Sequence, residues 1–231
     1  MDKIEKLKEL KSLLDSGVID QNEFAQMKSE ILGGTSEKPA PVSNLEVVKI
    51  GLQTWAKKNL DVSTFRNGDT IPCAESASEW EAAGQRGQPA WCYFDNDTVN
   101  GKIYGKLYNW FAVHDKRGLA PAGWHVPSDG EWKRLTDFLG GEDAAGTKMK
   151  NTSGWNDNGN GNNASGFSAL PGGDRKYNGT FKDVGYYGCW WSSTEYDTTN
   201  ALYRILDCGL GSVTNSGYFK QSGFSVRCLG D

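Results

Sequence analysis

Two short motifs near the end of the chain, Trp190-Trp191-Ser192-Ser193-Thr194-Glu195 and Gly223-Phe224-Ser225-Val226-Arg227-Cys228, enclose the stretch whose reading decides the fold. Between them lies Ile205–Phe219, ILDCGLGSVTNSGYF. Apolar and β-branched residues come here in short runs broken by Gly, Asn, Asp and Ser, the texture of brief strands joined by tight turns. The runs read as strands over Cys189 to Ser193, Ala201 to Cys208, Gly211 to Thr214 and Gly223 to Cys228, with one more at Phe167 to Leu170. Strand alternation places Leu202, Arg204 and Leu206 on one face and Ala201, Tyr203, Ile205 and Asp207 on the other. The face carrying Ile205 and Asp207 is expected to be the open one.

Upstream of these strands the pattern changes. Val47, Val48, Ile50, Leu52 and Trp55 suggest an opening strand. Ser76 with Glu79 and Ser128 with Glu131 have the spacing of capping boxes, in which a serine and a glutamate satisfy each other's orphan backbone N–H groups. They predict helices from Ser76 to Ala83, stopped by Gly84, and from Ser128 to Leu139, stopped by Gly140-Gly141. Tyr104 to Val113 is aromatic-rich and reads as a third helix packing Leu107, Trp110 and Phe111 inward, and the Asn/Gly tract Asn151 to Gly166 reads as a long surface loop. Helices early and strands late make the class α+β. Among 231 residues, 29 are Gly and 9 are Trp while only 37% are hydrophobic, so large rings are expected to fill a loop-rich core.

Five ordered motifs carry a family resemblance: YGKLYNWFAV (Tyr104 to Val113), APAGWHVPSDGEW (Ala120 to Trp132), GFSALPGG (Gly166 to Gly173), WWSSTE and GFSVRC. Together they resemble the major paralogous domain first described in Fibrobacter succinogenes. The resemblance spans about Val47 to Asp231. It implies a C-type-lectin-like fold of the formylglycine-generating-enzyme branch. Fold alone does not assign an activity. Enzymes of that branch use a closely spaced cysteine pair near the C-terminus to bind copper. Here Cys208 and Cys228 stand twenty residues apart and Cys228 belongs to GFSVRC. A binding protein rather than an enzyme is therefore expected, the alternatives being an oxidase of the formylglycine-generating type and a non-diversified structural surface protein.

The five cysteines, Cys73, Cys92, Cys189, Cys208 and Cys228, form no CxxC, and His114 and His125 are too few for a histidine metal cluster. No cofactor is expected. Asp95 to Gly101 and Asn156 to Gly161 have the look of calcium loops, but the first misses the EF-hand register and the second lacks its acidic ends. A structural calcium and a solvated Asn/Gly turn remain the two readings.

At the other end, Ile4, Leu7, Leu10 and Leu14 make a helical stripe stopped by Gly17, and Asp20 with Glu23 starts a second helix carrying Phe24, Met27 and Ile31. Leu10, Leu13, Gly17, Ile19, Glu23 and Phe24 resemble the short C-terminal (SHOCT-type) domain, which implies oligomerisation or macromolecule binding. Residues 1–34 form this unit, 35–46 a linker containing Pro39 and Pro41, and 47–231 the large domain. A hairpin this small buries too little surface to stand alone, so a homo-oligomer through residues 1–34 is expected. With a net charge of -4, no nucleic-acid partner is expected for the main domain. No segment reads as a membrane span or signal peptide, which points to a cytoplasmic or phage-associated protein unless it is exported by another route.

Ile205 to Phe219 contains no Lys, Glu, Gln, Met or Trp, and every residue in it has a codon ending in a pyrimidine. Asn and Tyr codons randomised at their adenines would leave this footprint. It resembles the variable stretch in targets of diversity-generating retroelements, which also place it at the C-terminus of a lectin-like fold. The alternative is an ordinary hairpin with glycine turns. The expected contact residues lie in a variable-type segment over about 186–219: Tyr186, Tyr187, Cys189, Tyr196, Asp197, Asn200, Ile205, Asp207, Gly209, Leu210, Val213, Asn215, Tyr218 and Phe219. Tyr203 and Arg204 are further candidates. Tyr, Ser, Gly and Asn give such surfaces adaptable contacts, and the ligand is expected to be a protein or a carbohydrate.

Overall fold

A computed structural model describes residues 6–7, 10–13 and 45–231, which belong to two units, Met1–Ser43 and Asn44–Asp231. In the first, residues 6–7 and 10–13 are helical and Leu10 is buried. The remainder of the expected hairpin, including Gly17, the Asp20 cap and the second stripe, lies outside the described residues, as does most of the linker.

The second unit is α+β. It opens with a hairpin, β1 (Val47–Ile50) and β2 (Gln53–Ala56), where a single strand was expected. Gly51, in the left-handed region at φ 61°, makes the turn, and Leu52 at its tip is 98% exposed rather than core. Two capping boxes start helices as expected, α1 (Ala77–Gln85) behind Ser76 and α4 (Asp129–Phe138) behind Ser128. Gly84 does not stop α1; it is buried inside it, and Gln221 packs where a Cβ would stand. Tyr104 to Val113 is not one helix. Helix α2 (Thr98–Tyr104) ends at Gly105, β4 (Leu107–Tyr108) pairs with β3 (Trp91–Cys92), and α3 (Trp110–Val113) restarts behind Asn109. The Asn109 Oδ1 accepts from both Ala90 N and Ala112 N, which breaks the run. Helix α5 (Glu142–Met149) was not expected at all.

Strands β5 (Trp124–His125) and β11 (Leu229–Gly230) join the first hairpin in a sheet ordered β1-β2-β11-β5. The larger sheet is ordered β10-β9-β8-β6-β7, with β6 Gly172–Arg175, β7 Phe181–Val184, β8 Tyr187–Glu195, β9 Asn200–Asp207 and β10 Val213–Phe219. Phe167 to Leu170 and Gly223 to Cys228 are not strands. The second runs as a buried strut: Phe224 N–H donates to Tyr108 O, Ser225 N–H to Cys189 O, while Val226 O and Cys228 O accept from Leu60 and Ala56. Asn151 to Gly166 has no regular element, but it is anchored by buried Trp155.

Seven of the nine tryptophans are buried, so rings do fill the core. Adjacent Trp190 and Trp191 point to opposite sides of β8 and join two different clusters. Trp190 packs with Trp55, Trp132, Phe167 and Leu206, and Trp191 with Tyr108, Tyr203 and Phe224. The large sheet is thus the wall between two aromatic cores.

Candidate binding surface

The β8–β9–β10 meander treats its two faces differently. On one, Trp190, Arg204, Leu206 and Val213 are no more than 2% exposed. The buried Arg204 guanidinium ion-pairs with Asp129 at 2.7 Å and also donates to Asn215 Oδ1. On the other face, cross-strand partners align Tyr187 with Asp207, Cys189 with Ile205, Ile205 with Thr214, Tyr203 with Ser216 and Ala201 with Tyr218. Its inner part (Cys189, Trp191, Ala201, Tyr203) is buried, whereas Tyr187, Ile205, Asp207 and Tyr218 are half-buried and Thr214 and Ser216 exposed. The expected open face is therefore the more open one, though only towards β10 and the Tyr187 corner.

Tyr218 anchors this surface. Its ring lies 5.6 Å from Tyr203 and 5.4 Å from Phe224, with Lys176 Nζ 5.4 Å from its centre. At the opposite corner Asp207 Oδ1 accepts from Gly209 N–H at 2.7 Å, and its charge pushes the Tyr187 phenol above its ordinary range.

Each end of the meander is held by a buried lysine that the sequence reading missed. Lys150 Nζ donates to the carbonyls of Asp207, Cys208 and Leu210 at 3.0, 3.3 and 2.8 Å, fixing the β9–β10 turn. Lys220 Nζ donates to the carbonyls of Asp197 and Thr198 at 2.8 and 2.9 Å and ion-pairs with Glu195, fixing the β8–β9 turn. Burial pushes the Lys150 ammonium below its usual range. These ammoniums supply donors to the turn carbonyls, of which that of Asp207 also accepts from Leu210 N–H at 3.3 Å.

The expected contact residues divide among these places. Tyr187, Ile205, Asp207 and Tyr218 share the open face. Tyr186 and Leu210 stand exposed at one end, and Tyr196 and Phe219 at the other, roughly 25 Å away for strands of this length. Phe219 meets exposed Tyr177 at 5.5 Å, an aromatic neighbour that was not anticipated. Gly209 lies in the exposed β9–β10 turn.

Some expectations are corrected. Cys189 and Val213 are 3% and 2% exposed: alternation turns Val213 to the locked face, while Cys189 lies on the face of Ile205 but in its inner part, within the Trp191 core. Arg204 is buried on the locked face, and Tyr203, though on the face of Ile205, is covered by the Trp191 core. Asp197 and Asn200 hold a turn: Asp197 Oδ1 accepts from Thr199 N–H and Asn200 N–H at 2.8 Å, and with the Asn200 amide these bonds draw its carboxyl down to about 2. Asn215 is exposed on the outer strand, but its side-chain oxygen is engaged by Arg204. Thr214 and Ser216 join the open face because the strand expected over Gly211 to Thr214 runs on to Phe219. Carried on to Phe219, the same alternation yields Ser216 and Tyr218.

In both candidate calcium loops a side-chain oxygen is engaged by nearby backbone. Asp97 caps α2 through Val99 N–H at 2.8 Å, and Asn160 Oδ1 accepts from Trp155 N–H at 3.0 Å. Among the described residues no group of three or more His, Cys, Asp or Glu is arranged to hold a metal ion. His114 stacks on Trp110 and His125 lies between Asp231 at 2.7 Å and Glu131 at 3.2 Å. All five cysteines are free thiols, with Cys228 in the Trp191 core and Cys208 packed against the Trp190 core. No helix among the described residues is long and apolar enough to cross a membrane.

Comparison with known families agrees with the motifs quoted above. Residues 5–32 match the Short C-terminal domain, and residues 48–229 match the Fibrobacter succinogenes major domain. A comparison with curated proteins returned no match. With nearly all of its larger unit covered, the chain belongs to the Fibrobacter succinogenes major domain family.

Proposed function

We propose that the protein is a display protein: a C-type-lectin-like scaffold of the formylglycine-generating type that binds a protein or carbohydrate ligand and catalyses no reaction. The contact surface is the open face of β8–β10, centred on Tyr187, Ile205, Asp207, Thr214, Ser216 and Tyr218, with Tyr186, Leu210, Tyr196 and Phe219 at its ends. The observation that carries this reading is the asymmetry of the meander. One face is locked into an aromatic core and both turns are pinned by buried lysines, so open-face residues outside the inner core can change without moving the backbone. That property suits a surface diversified by a retroelement, and the absence of Lys, Glu, Gln, Met and Trp from Ile205–Phe219 fits the same origin. Residues 1–34 would multimerise the display and turn weak single contacts into avidity.

A library that replaces Tyr187, Ile205, Asp207, Thr214, Ser216 and Tyr218 together, selected against an unrelated immobilised protein, tests the reading. Folded members are expected in quantity, with melting temperatures within about 5–10 °C of the parent, and apolar residues should persist at Ile205 and Tyr218, which also pack on the core. Binders should emerge. A library that is almost wholly unfolded, or folded but never binding, contradicts the proposal.

A further inference from the structure

The two edges of the large sheet are built differently. β7 has 4 residues and carries Lys182 and Asp183, the short charged edge with which proteins discourage strand pairing. β10 has 7 residues, VTNSGYF, with no charge and no proline, and its register with β9 runs unbroken from Val213 to Phe219. Hydrogen-bond alternation shows which of its backbone groups face outward. Cys208 N–H donates to Tyr186 O and Lys220 N–H to Thr199 O, so even-numbered β9 residues bond β8 and odd-numbered ones bond even-numbered β10 residues. Val213, Asn215 and Gly217 therefore turn their N–H and C=O groups to the free edge. Among the described residues nothing occupies those of Asn215 and Gly217.

We propose that two copies of the chain pair antiparallel through β10, about a two-fold axis at Asn215, joining two five-stranded sheets edge to edge. A second copy fits because the strand is complementary to itself in this register. Thr214 stands opposite the partner's Ser216, hydroxyl against hydroxyl; Val213 stands opposite the partner's Gly217, whose missing side chain leaves room for a Tyr196 ring on which the valine can pack; and no like charges meet. The symmetric contact uses the same patch on both copies and closes on itself, so it yields a dimer and not a fibre. The two open faces then form one continuous surface. This pairing requires nothing of the ligand and stands apart from the reading above.

The test is amide hydrogen exchange on the full chain, followed at Asn215 and Gly217 as a function of concentration, in the wild type and two double variants. T214K/S216K sets lysine against lysine across the axis; T214K/S216E sets lysine against glutamate. Both alter only exposed side chains. In the wild type these amides should be protected at high concentration and exchange at least tenfold faster on dilution. T214K/S216K should lose that protection and T214K/S216E should keep it. Fast exchange in the wild type at every concentration overturns the proposal. So does protection untouched by T214K/S216K, or equal loss in both variants, which would mean that a different segment or a foreign strand occupies the edge.

Discussion

Asp174 is a carboxyl buried beside the open face, 2% exposed, with Oδ2 3.0 Å from Lys176 Nζ. Burial outweighs the lysine and pushes it up to about 6 from an ordinary value of 3.8. Between those values the folded chain holds a proton that the unfolded chain has released. Stability should therefore fall as pH rises from about 4 to 6, by at most ~3 kcal/mol from this group. Urea unfolding of the wild type and Asp174→Asn at pH 4.5 and 6.5 checks this. The variant should lack that part of the slope, and identical slopes would show that the carboxyl titrates normally. None of this was legible in the sequence, because GGDR offers no strand pattern and burial of its aspartate depends on β7 and β8 closing over it. Cys189 and Val213 were misplaced for a related reason. Composition singles out the segment, but only the register decides which of its residues face the core.

At the scale of elements, what could be read was local. Both capping boxes formed, since a serine and a glutamate three residues on need nothing from the rest of the chain. Tyr104 to Val113 could not be resolved locally, because a run apolar on every side has no period and Asn109 breaks it through contacts with Gln88 and Ala90. Helix α5 was hidden by Gly146, a poor helix former that is required there because a Cβ would stand 2.5 Å from Gly211 O. The lysines that pin the turns act over 57 residues and more from Lys150, and over 22 to 25 from Lys220, beyond any sequence window. Lys150→Met should orphan the carbonyls of Cys208 and Leu210, leave that of Asp207 only its bond from Leu210 N–H, and destabilise the protein by about 2–4 kcal/mol. Amide exchange should quicken around Cys208 to Val213 and stay unchanged at Thr199 and Asn200. Lys220→Met should reverse that distribution. A loss below about 0.5 kcal/mol in either variant would mean that water replaces the ammonium.

For the whole molecule, the strand that matters most is flanked by two kinds of chemistry. WWSSTE and GFSVRC, which guided the reading, are both structural: Trp190 and Trp191 divide the interior, and Arg227, 1% exposed, donates to the carbonyls of Ala56, Lys57 and Phe167 to tie the strut to the first hairpin. The family and the α+β class were legible because these motifs are rigid. The proposed contact surface was legible only in outline, because its members are distinguished by exposure. What remains is the claim that this surface is varied by design, and sequencing the DNA that flanks the coding region tests it most directly. A nearby near-repeat of the stretch encoding residues 186–219 is expected, differing from it only where the repeat reads adenine, with the differences concentrated at Tyr187, Ile205, Asp207, Thr214, Ser216 and Tyr218. Flanking DNA without such a repeat, or with differences spread evenly over all four bases, would contradict it.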